Sequence, residues 1–402
     1  MRRSQGGWLK VVFVTALVAG AGIASATAAE KIKIGNLAPY SGPASAYGIF
    51  GKIDAAYMRM LNERGGIKGR QIEFISYDDA YSPPKAVEQT RRLVENDDVL
   101  LIFNAVGTPT NSAIQKYLNT RKVPQLFSAT GATKFGDPKN FPWTMGWASS
   151  VYGIETAIYA RYIKDSFPNA KVAVLMQNDD FGKDLHKGFK DGFGEDASKY
   201  IVAEATYDVT DATIDSQLVK LKASGADVLV DFTTPRFAAQ AIRKLAELDW
   251  KPVHILSNAA ANINSVFRPS GIENAKGILT ANSVKEPGDP RWKDDPGVKE
   301  FLTFMDKYYP EGDRTNYFAA ISFMASQLLQ KVLEQCGDDL SRENVMKQAT
   351  NLKGISLGML LPGITINTSP TNYFPISQMQ MIRFNGEGWD PVGEVQTATV
   401  KD

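Results

Sequence analysis

The chain has two histidines, His186 and His254, and they fall in segments assigned to different elements. A general base needs a partner acid or nucleophile within hydrogen-bond reach. Neither histidine sits in a motif that supplies one, so each reads as a surface or cap residue. Cys336, the single cysteine, follows a helical pattern from Phe318 to Gln335 and reads as a small packed apolar side chain. One cysteine makes no internal disulfide, and without cysteine clusters or histidine pairs no transition-metal site is expected. Asp78-Asp79, Asp97-Asp98, Asp179-Asp180 and Asp294-Asp295 suggest calcium at first sight. Each pair falls at a turn beside an element end, where Asp caps or solvates, and none has calcium-loop spacing. There is no G-x-S-x-G elbow, phosphate loop, dinucleotide G-x-G-x-x-G or H-E-x-x-H. We therefore expect no enzyme, no cofactor and no metal.

Three loops remain, each after a predicted strand. Ser41 to Gly48 follows the first, Gly107 to Asn111 the third and Ser128 to Ala132 the fourth. All are rich in small and hydroxyl residues. In open α/β sheets ligands bind beyond the carboxyl ends of the strands, where helix N-termini present free N–H groups. Backbone amides and hydroxyls from these loops would converge on one anion. Any one loop alone reads as an ordinary helix cap, but three in succession on one lobe favour a site.

The elements that must position these loops alternate. Strands are predicted at 31–37, 71–77, 99–103 and 124–127, with helices at 48–62, 83–95 and from Pro109. That order predicts an α/β parallel sheet with helices on both faces. A second series follows Trp143–Ala148: helix 153–167, strand 171–176, helix 182–193, strand 200–207, helix 213–223, strand 227–231, helix 236–248 and strand 253–256. Helices return at 298–309, 317–335 and 342–350, and residues 373–384 and 389–395 alternate as antiparallel strands. The chain thus reads as two doubly wound α/β lobes.

The N-terminus sets the compartment. Arg2, Arg3 and Lys10 precede an apolar run from Val11 to Ala24, and Ala26-Thr27-Ala28 has the small-x-small form of a cleavage site. This is the order of a secretory signal over residues 1–28, too short for a transmembrane anchor. Its removal leaves 374 residues with 42 cations against 44 acids. A near-neutral surface of this kind argues against nucleic acid, which selects a strongly basic face. A free, monomeric periplasmic protein is expected.

Ile32-Lys-Ile-Gly, Ser41-Gly-Pro, Tyr47-Gly48, Asn62, Gly65-Gly-Ile-Lys-Gly69, Tyr77-Asp-Asp79, Gln125 to Thr133 and Asn178-Asp-Asp-Phe-Gly182 resemble the branched-chain amino-acid-binding proteins of ABC importers. The likeness is strongest over residues 31–135. It implies a type I periplasmic-binding fold: two lobes joined by three hinge crossings, closing on a ligand and docking on permease subunits at the inner membrane. The implied lobes are 29–149 with 282–362, and 150–281 with 363–402. The resemblance assigns the ligand carboxylate to Gly107, Thr108 and Thr110 with Ala129, Thr130 and Gly131. It lays Tyr47 along the ligand side chain and closes the second lobe with Phe181, Thr234 and Ala259.

The departures from the family pattern bear on the ligand. Phe181 stands where amino-acid binders carry Tyr, and Ser257-Asn258-Ala259-Ala260 has no acid where they pair the ligand ammonium. A slipped alignment in the second lobe leaves Asp231 as a substitute acid. The paired cysteines of some members fall at Tyr81 and Val106. Three functions stay open: a transport protein for an organic acid lacking an α-amine, the same fold binding an amino acid, and a sensory ligand-binding module.

Overall fold

The computed structural model describes Met1, Gly6, Gly7 and residues 30–147 and 151–397. The expected signal segment lies outside the described residues apart from those three. Strands β1 (Ile32–Ala38), β2 (Ile72–Asp78), β3 (Leu101–Phe103), β4 (Gln125–Ala129) and β5 (Thr144–Trp147) form a parallel sheet in the order β2-β1-β3-β4-β5. Its β1–β2 register runs from Ile32 opposite Ile72 to Ala38 opposite Asp78. Strands β6 (Val172–Gln177), β7 (Ile201–Tyr207), β8 (Val228–Phe232), β9 (Val253–Leu256), β10 (Leu279–Asn282), β11 (Gln378–Phe384) and β12 (Trp389–Thr397) form the second, ordered β12-β11-β10-β9-β8-β6-β7. Only its pairings through β11 and β12 are antiparallel.

The central strands are short apolar runs because helices cover both faces. Leu101, Ile102 and Phe103 are fully buried, as are Val228, Leu229, Val230 and Phe232. Helix starts follow local chemistry. Pro83, Pro235 and Pro296 open helices at the position where a missing N–H costs nothing. Asp179, Asp295 and Asn316 accept first-turn amides as N-caps. Two of the four aspartate pairs are thus helix caps, and no cluster of metal-ligating side chains occurs among the described residues.

The expected elements are present with ends shifted by a few residues. Short β5 and β10 were not assigned from sequence. Each is four residues long, and the polar Thr144, Thr280 and Asn282 interrupt the apolar signal. The helix expected to run from Pro83 to Glu95 is α-helical only to Arg91 and continues as a wider turn over Arg92–Asn96.

The chain leaves the first sheet after Trp147, returns after Asn282 to the helices 296–308, 317–335 and 342–349, and re-enters the second sheet at Gln378. Helix 317–335 packs on helix 49–63, fixing these returning helices to the first sheet. Ile364, Ile366, Tyr373 and Ile376 share a core with that sheet. The packing therefore favours a lobe boundary near Ile376, later than the expected one after Pro362. Among the described residues no helix is long and apolar enough to cross a membrane.

Candidate functional site

Both sheets reverse strand order beside their first strand, between β1 and β3 in one and between β6 and β8 in the other. Loops diverge at such switch points and leave a crevice at the carboxyl ends. The two crevices face each other across one cavity of about 580 Å³ of atom-free space, its mouth included.

The first-lobe wall is built by Tyr47 and Phe50 after β1, Tyr81 after β2, Val106, Gly107 and Thr108 after β3, Ala129 and Thr130 at the end of β4, and Trp147 of β5. Phe318 and Ile321 reach it from helix 317–335. The second wall is Tyr152, Phe181, Thr234, Asn258 and Ala259. Among the described residues no charged side chain lines the cavity.

Eight of the ten residues expected at the site line this one space: Tyr47, Gly107, Thr108, Ala129, Thr130, Phe181, Thr234 and Ala259. Thr110 and Gly131 do not. The Thr110 hydroxyl donates to the Val106 carbonyl at 2.6 Å, with the Gly107 carbonyl at 3.1 Å, so it serves the loop and is not turned to a ligand. The Gly131 carbonyl accepts the Tyr152 amide at 2.8 Å. Asp231 is not the missing acid. It is buried in β8 against His254 at 3.2 Å and does not reach the cavity.

The polar end of the cavity is a cluster of hydroxyls at a helix N-terminus. Thr108 and Thr130 Oγ1 lie 2.8 Å apart, with Tyr152 Oη 3.4 Å from Thr108 Oγ1. Gly107, with φ of 100°, turns the chain into helix 108–120. Pro109 has no N–H, and the first-turn amides of Thr108 and Thr110 find no carbonyl among the described residues. Asn111 Nδ2 ties the turn down by donating to the Ala105 and Gly107 carbonyls at 2.7 and 2.8 Å. Hydroxyls, free amides and the positive end of a helix together make an anion-binding device. Burial pushes the Tyr152 phenol up to about 12, partly offset by the Thr108 and Thr130 hydroxyls, so it remains a proton donor at neutral pH.

The opposite wall mixes the Phe181 ring and Ala259 with Thr234 and Asn258, and further polar groups lie behind it. Phe181 meets the Tyr152 ring edge-on at 5.5 Å. Thr234 and Tyr207 hydroxyls both donate to Gln177 Oε1 at 3.1 Å. The Asn258 amide donates to buried Glu155 at 2.9 Å. Direct bonds already join the lobes. Tyr47 Oη donates to the Ala259 carbonyl at 2.8 Å, the Thr133 amide to Asp184 at 2.9 Å, and Lys134 pairs with Asp180 at 2.8 Å. These contacts hold the two walls of the cleft together.

Two α/β sheets that face each other across a cleft with aromatic walls and a hydroxyl-rich end have the architecture of a solute-binding protein. The chain belongs to the periplasmic binding protein family, whose profile matches residues 31–388. This is the type I fold. It is similar to the Leu/Ile/Val-binding protein homolog 7 of Brucella abortus, 23% identical over 362 residues and covering 87% of each chain. A Leu/Ile/Val-binding protein homolog 3 of Brucella melitensis is 28% identical over 293 residues, 71% of this chain and 76% of that one. Among solved structures, a branched-chain amino acid ABC transporter protein from Thermus thermophilus with bound valine superposes with a TM-score of 0.83 at 17% identity, covering 92% and 97% of the two chains. A fatty acid ABC transporter substrate-binding protein from Thermomonospora curvata gives 0.74 at 19% identity, covering 92% and 93%. At these identities the superpositions carry the fold alone. The family consists of transport binding proteins, not enzymes.

The sequence reading missed Phe50, Tyr81, Val106, Trp147, Tyr152, Asn258, Phe318 and Ile321. Phe318 and Ile321 lie on a helix nearly 270 residues from Phe50, and no local pattern marks that approach. Tyr152 opens helix 152–166 directly after a lobe crossing, where the aromatic at a helix start was the available signal.

Proposed function

We propose that this protein is the periplasmic solute-binding component of an ABC importer that captures a small organic carboxylate without an α-ammonium group and delivers it to a membrane permease. Export relies on the cleaved N-terminal segment 1–28, which N-terminal sequencing of secreted protein tests directly. The observation that carries the ligand class is the asymmetry of the cavity: a hydroxyl cluster suited to an anion at Thr108, Thr130 and Tyr152, and no acidic side chain among the described lining residues. An ammonium closed into this cleft would lose its hydration without gaining a counter-charge, which costs several kcal/mol. The rings of Tyr47, Phe50, Trp147, Phe181 and Phe318 suit an aromatic ring or alkyl chain.

A second reading, a branched-chain amino acid, is favoured by the names of the Brucella relatives and by the valine in the Thermus neighbour. Calorimetry with an amino acid and its des-amino analogue separates the two, for example phenylalanine against 3-phenylpropionate and leucine against 4-methylpentanoate. The des-amino acids are expected to bind at least tenfold more tightly, about 1.4 kcal/mol. A preference of that size for the amino acids overturns the proposal in favour of the second reading.

A further inference from the structure

Tyr81 is held in the cleft by a backbone that side chains with a Cβ avoid. Ala80 and Tyr81 both have positive φ, 51° and 60°. Consecutive left-handed residues other than glycine are costly and persist where their surroundings enforce them, most often at functional sites. Two adjacent acids enforce them here. Asp78 Oδ1 accepts the amides of Tyr40 at 2.9 Å, Ser41 at 3.2 Å and Ala80 at 2.9 Å. Asp79 Oδ1 accepts the Tyr81 amide at 2.8 Å, and the Asp79 carbonyl accepts Ser82 N at 2.8 Å. The result lays the Tyr81 ring against Gly107, where a Cβ would come within 2.6 Å of ring carbon Cε2.

The hydroxyl supplies a second, independent observation. The other phenols at or just behind the cleft are engaged: Tyr47 with the Ala259 carbonyl, Tyr152 with Thr108, and Tyr207 with Gln177. Tyr81 lines the cavity and is only 6% exposed, yet its hydroxyl has no hydrogen-bond partner among the described residues. Nor is that oxygen among the fully buried, unpartnered atoms, so it keeps some exposed surface on a residue that lines the cavity. Burial holds the phenol well above its ordinary pKa, and among charged groups Asp179, behind the second wall, acts on it most. It is a neutral donor on the cavity wall with no partner among the described residues.

Resting on the reading of this protein as a carboxylate binder, we propose that Tyr81 Oη donates to a ligand oxygen other than the carboxylate, so that the site selects hydroxy-, oxo- or ether-bearing carboxylates over their hydrocarbon counterparts. A plain hydrocarbon tail would leave this donor unpaired in a closed, desolvated cleft. Sites that must pair a polar group of their own discriminate strongly against ligands lacking its partner.

The test is calorimetry of wild type and Tyr81→Phe with paired probes: benzoate and its three ring-hydroxylated isomers, 3-phenylpropionate and its hydroxyphenyl counterparts, hexanoate and 6-hydroxyhexanoate. Wild type is expected to prefer an oxygenated member by tenfold or more. In Tyr81→Phe, which removes one oxygen and no packing, the members of that pair should bind within about twofold of each other. Plain and oxygenated probes binding wild type equally, or a preference that survives in Tyr81→Phe, would overturn the role of Tyr81 while leaving the carboxylate reading intact. Binding of no probe, with an amino acid bound instead, would overturn both.

Discussion

The Tyr47 hydroxyl donates to the Ala259 carbonyl at 2.8 Å, joining the two walls of the cleft across 212 residues of sequence. The bond exists only when the lobes are closed, so it adds to the closed state without touching the open one. A neutral hydrogen bond of this kind contributes about 0.5–1.5 kcal/mol net. Tyr47→Phe should weaken ligand binding by roughly 2- to 12-fold, mainly through faster release. Stopped-flow release kinetics with calorimetry checks this. Unchanged release would mean that ligand contacts alone hold the lobes together.

Thr108 and Thr110 sit two residues apart at the same helix start but use their hydroxyls differently. The Thr108 hydroxyl faces Thr130 in the cavity, while that of Thr110 serves the Val106 carbonyl. Thr108→Val should weaken carboxylate binding by roughly 10- to 150-fold, the equivalent of losing a charge-assisted hydrogen bond of about 1.5–3 kcal/mol. Thr110→Val should weaken it less and lower the melting temperature more. Calorimetry and thermal unfolding of both variants, run together, decide the assignment; the reverse ranking in affinity would move the anchor to Thr110.

Asp54 gives the stability a pH dependence. Buried in helix 49–63, it accepts from Ser322 and Ser326 at 2.7 and 2.9 Å and from Asn104 at 2.9 Å. Burial nevertheless outweighs these bonds and pushes its carboxyl up to about 7, from an ordinary value of 3.8. Between those values the folded state holds a proton that the unfolded chain has released, so this group's contribution to stability falls as pH rises from about 4 through about 7. Asp54→Asn, which cannot ionise, should flatten that part of the curve. The difference in melting temperature between variant and wild type should move in the variant's favour from pH 4.5 to pH 7.5. A constant difference would show that Asp54 does not titrate there.

The repeating order of strand and helix was legible because several central strands carry short apolar runs, such as Leu101–Phe103 and Val228–Val230, and most helices carry a proline or cap residue at their start. The anchor loops were legible for a local reason: Gly107, Thr108 and Thr130 lie at predicted strand ends. What the sequence hid is set by long-range packing. The hydroxyl of Thr110 differs from that of Thr108 only in the direction its helix position imposes. Asp231 looked like an available acid until His254, on the neighbouring strand, was seen to occupy it. Tyr81 enters the cleft through two residues in left-handed backbone, and no residue type at Ala80 or Tyr81 signals that conformation.

Gly107 offers the most stringent test of the site as built. Its φ of 100° is one that side chains with a Cβ rarely adopt, and the position starts the helix whose first residue, Thr108, lines the cavity. A methyl group there would meet Tyr81 Cε2 at 2.6 Å and Thr110 Oγ1 at 2.8 Å. Neither can retreat cheaply: Tyr81 is fixed by Asp78 and Asp79, and Thr110 by the Val106 carbonyl. Gly107→Ala should therefore cost about 1–3 kcal/mol of stability through backbone strain, and should displace both the anchor and the neighbouring phenol. Denaturant unfolding should show a lower midpoint with an unchanged slope, and calorimetry a loss of carboxylate binding of more than tenfold. Gly65→Ala is the matched control. It also has positive φ, at 99°, but no atom within 4 Å of the added carbon. It should cost a similar backbone strain and leave binding alone. Equal losses of binding in the two variants would trace the effect to general destabilisation and not to the geometry at Gly107.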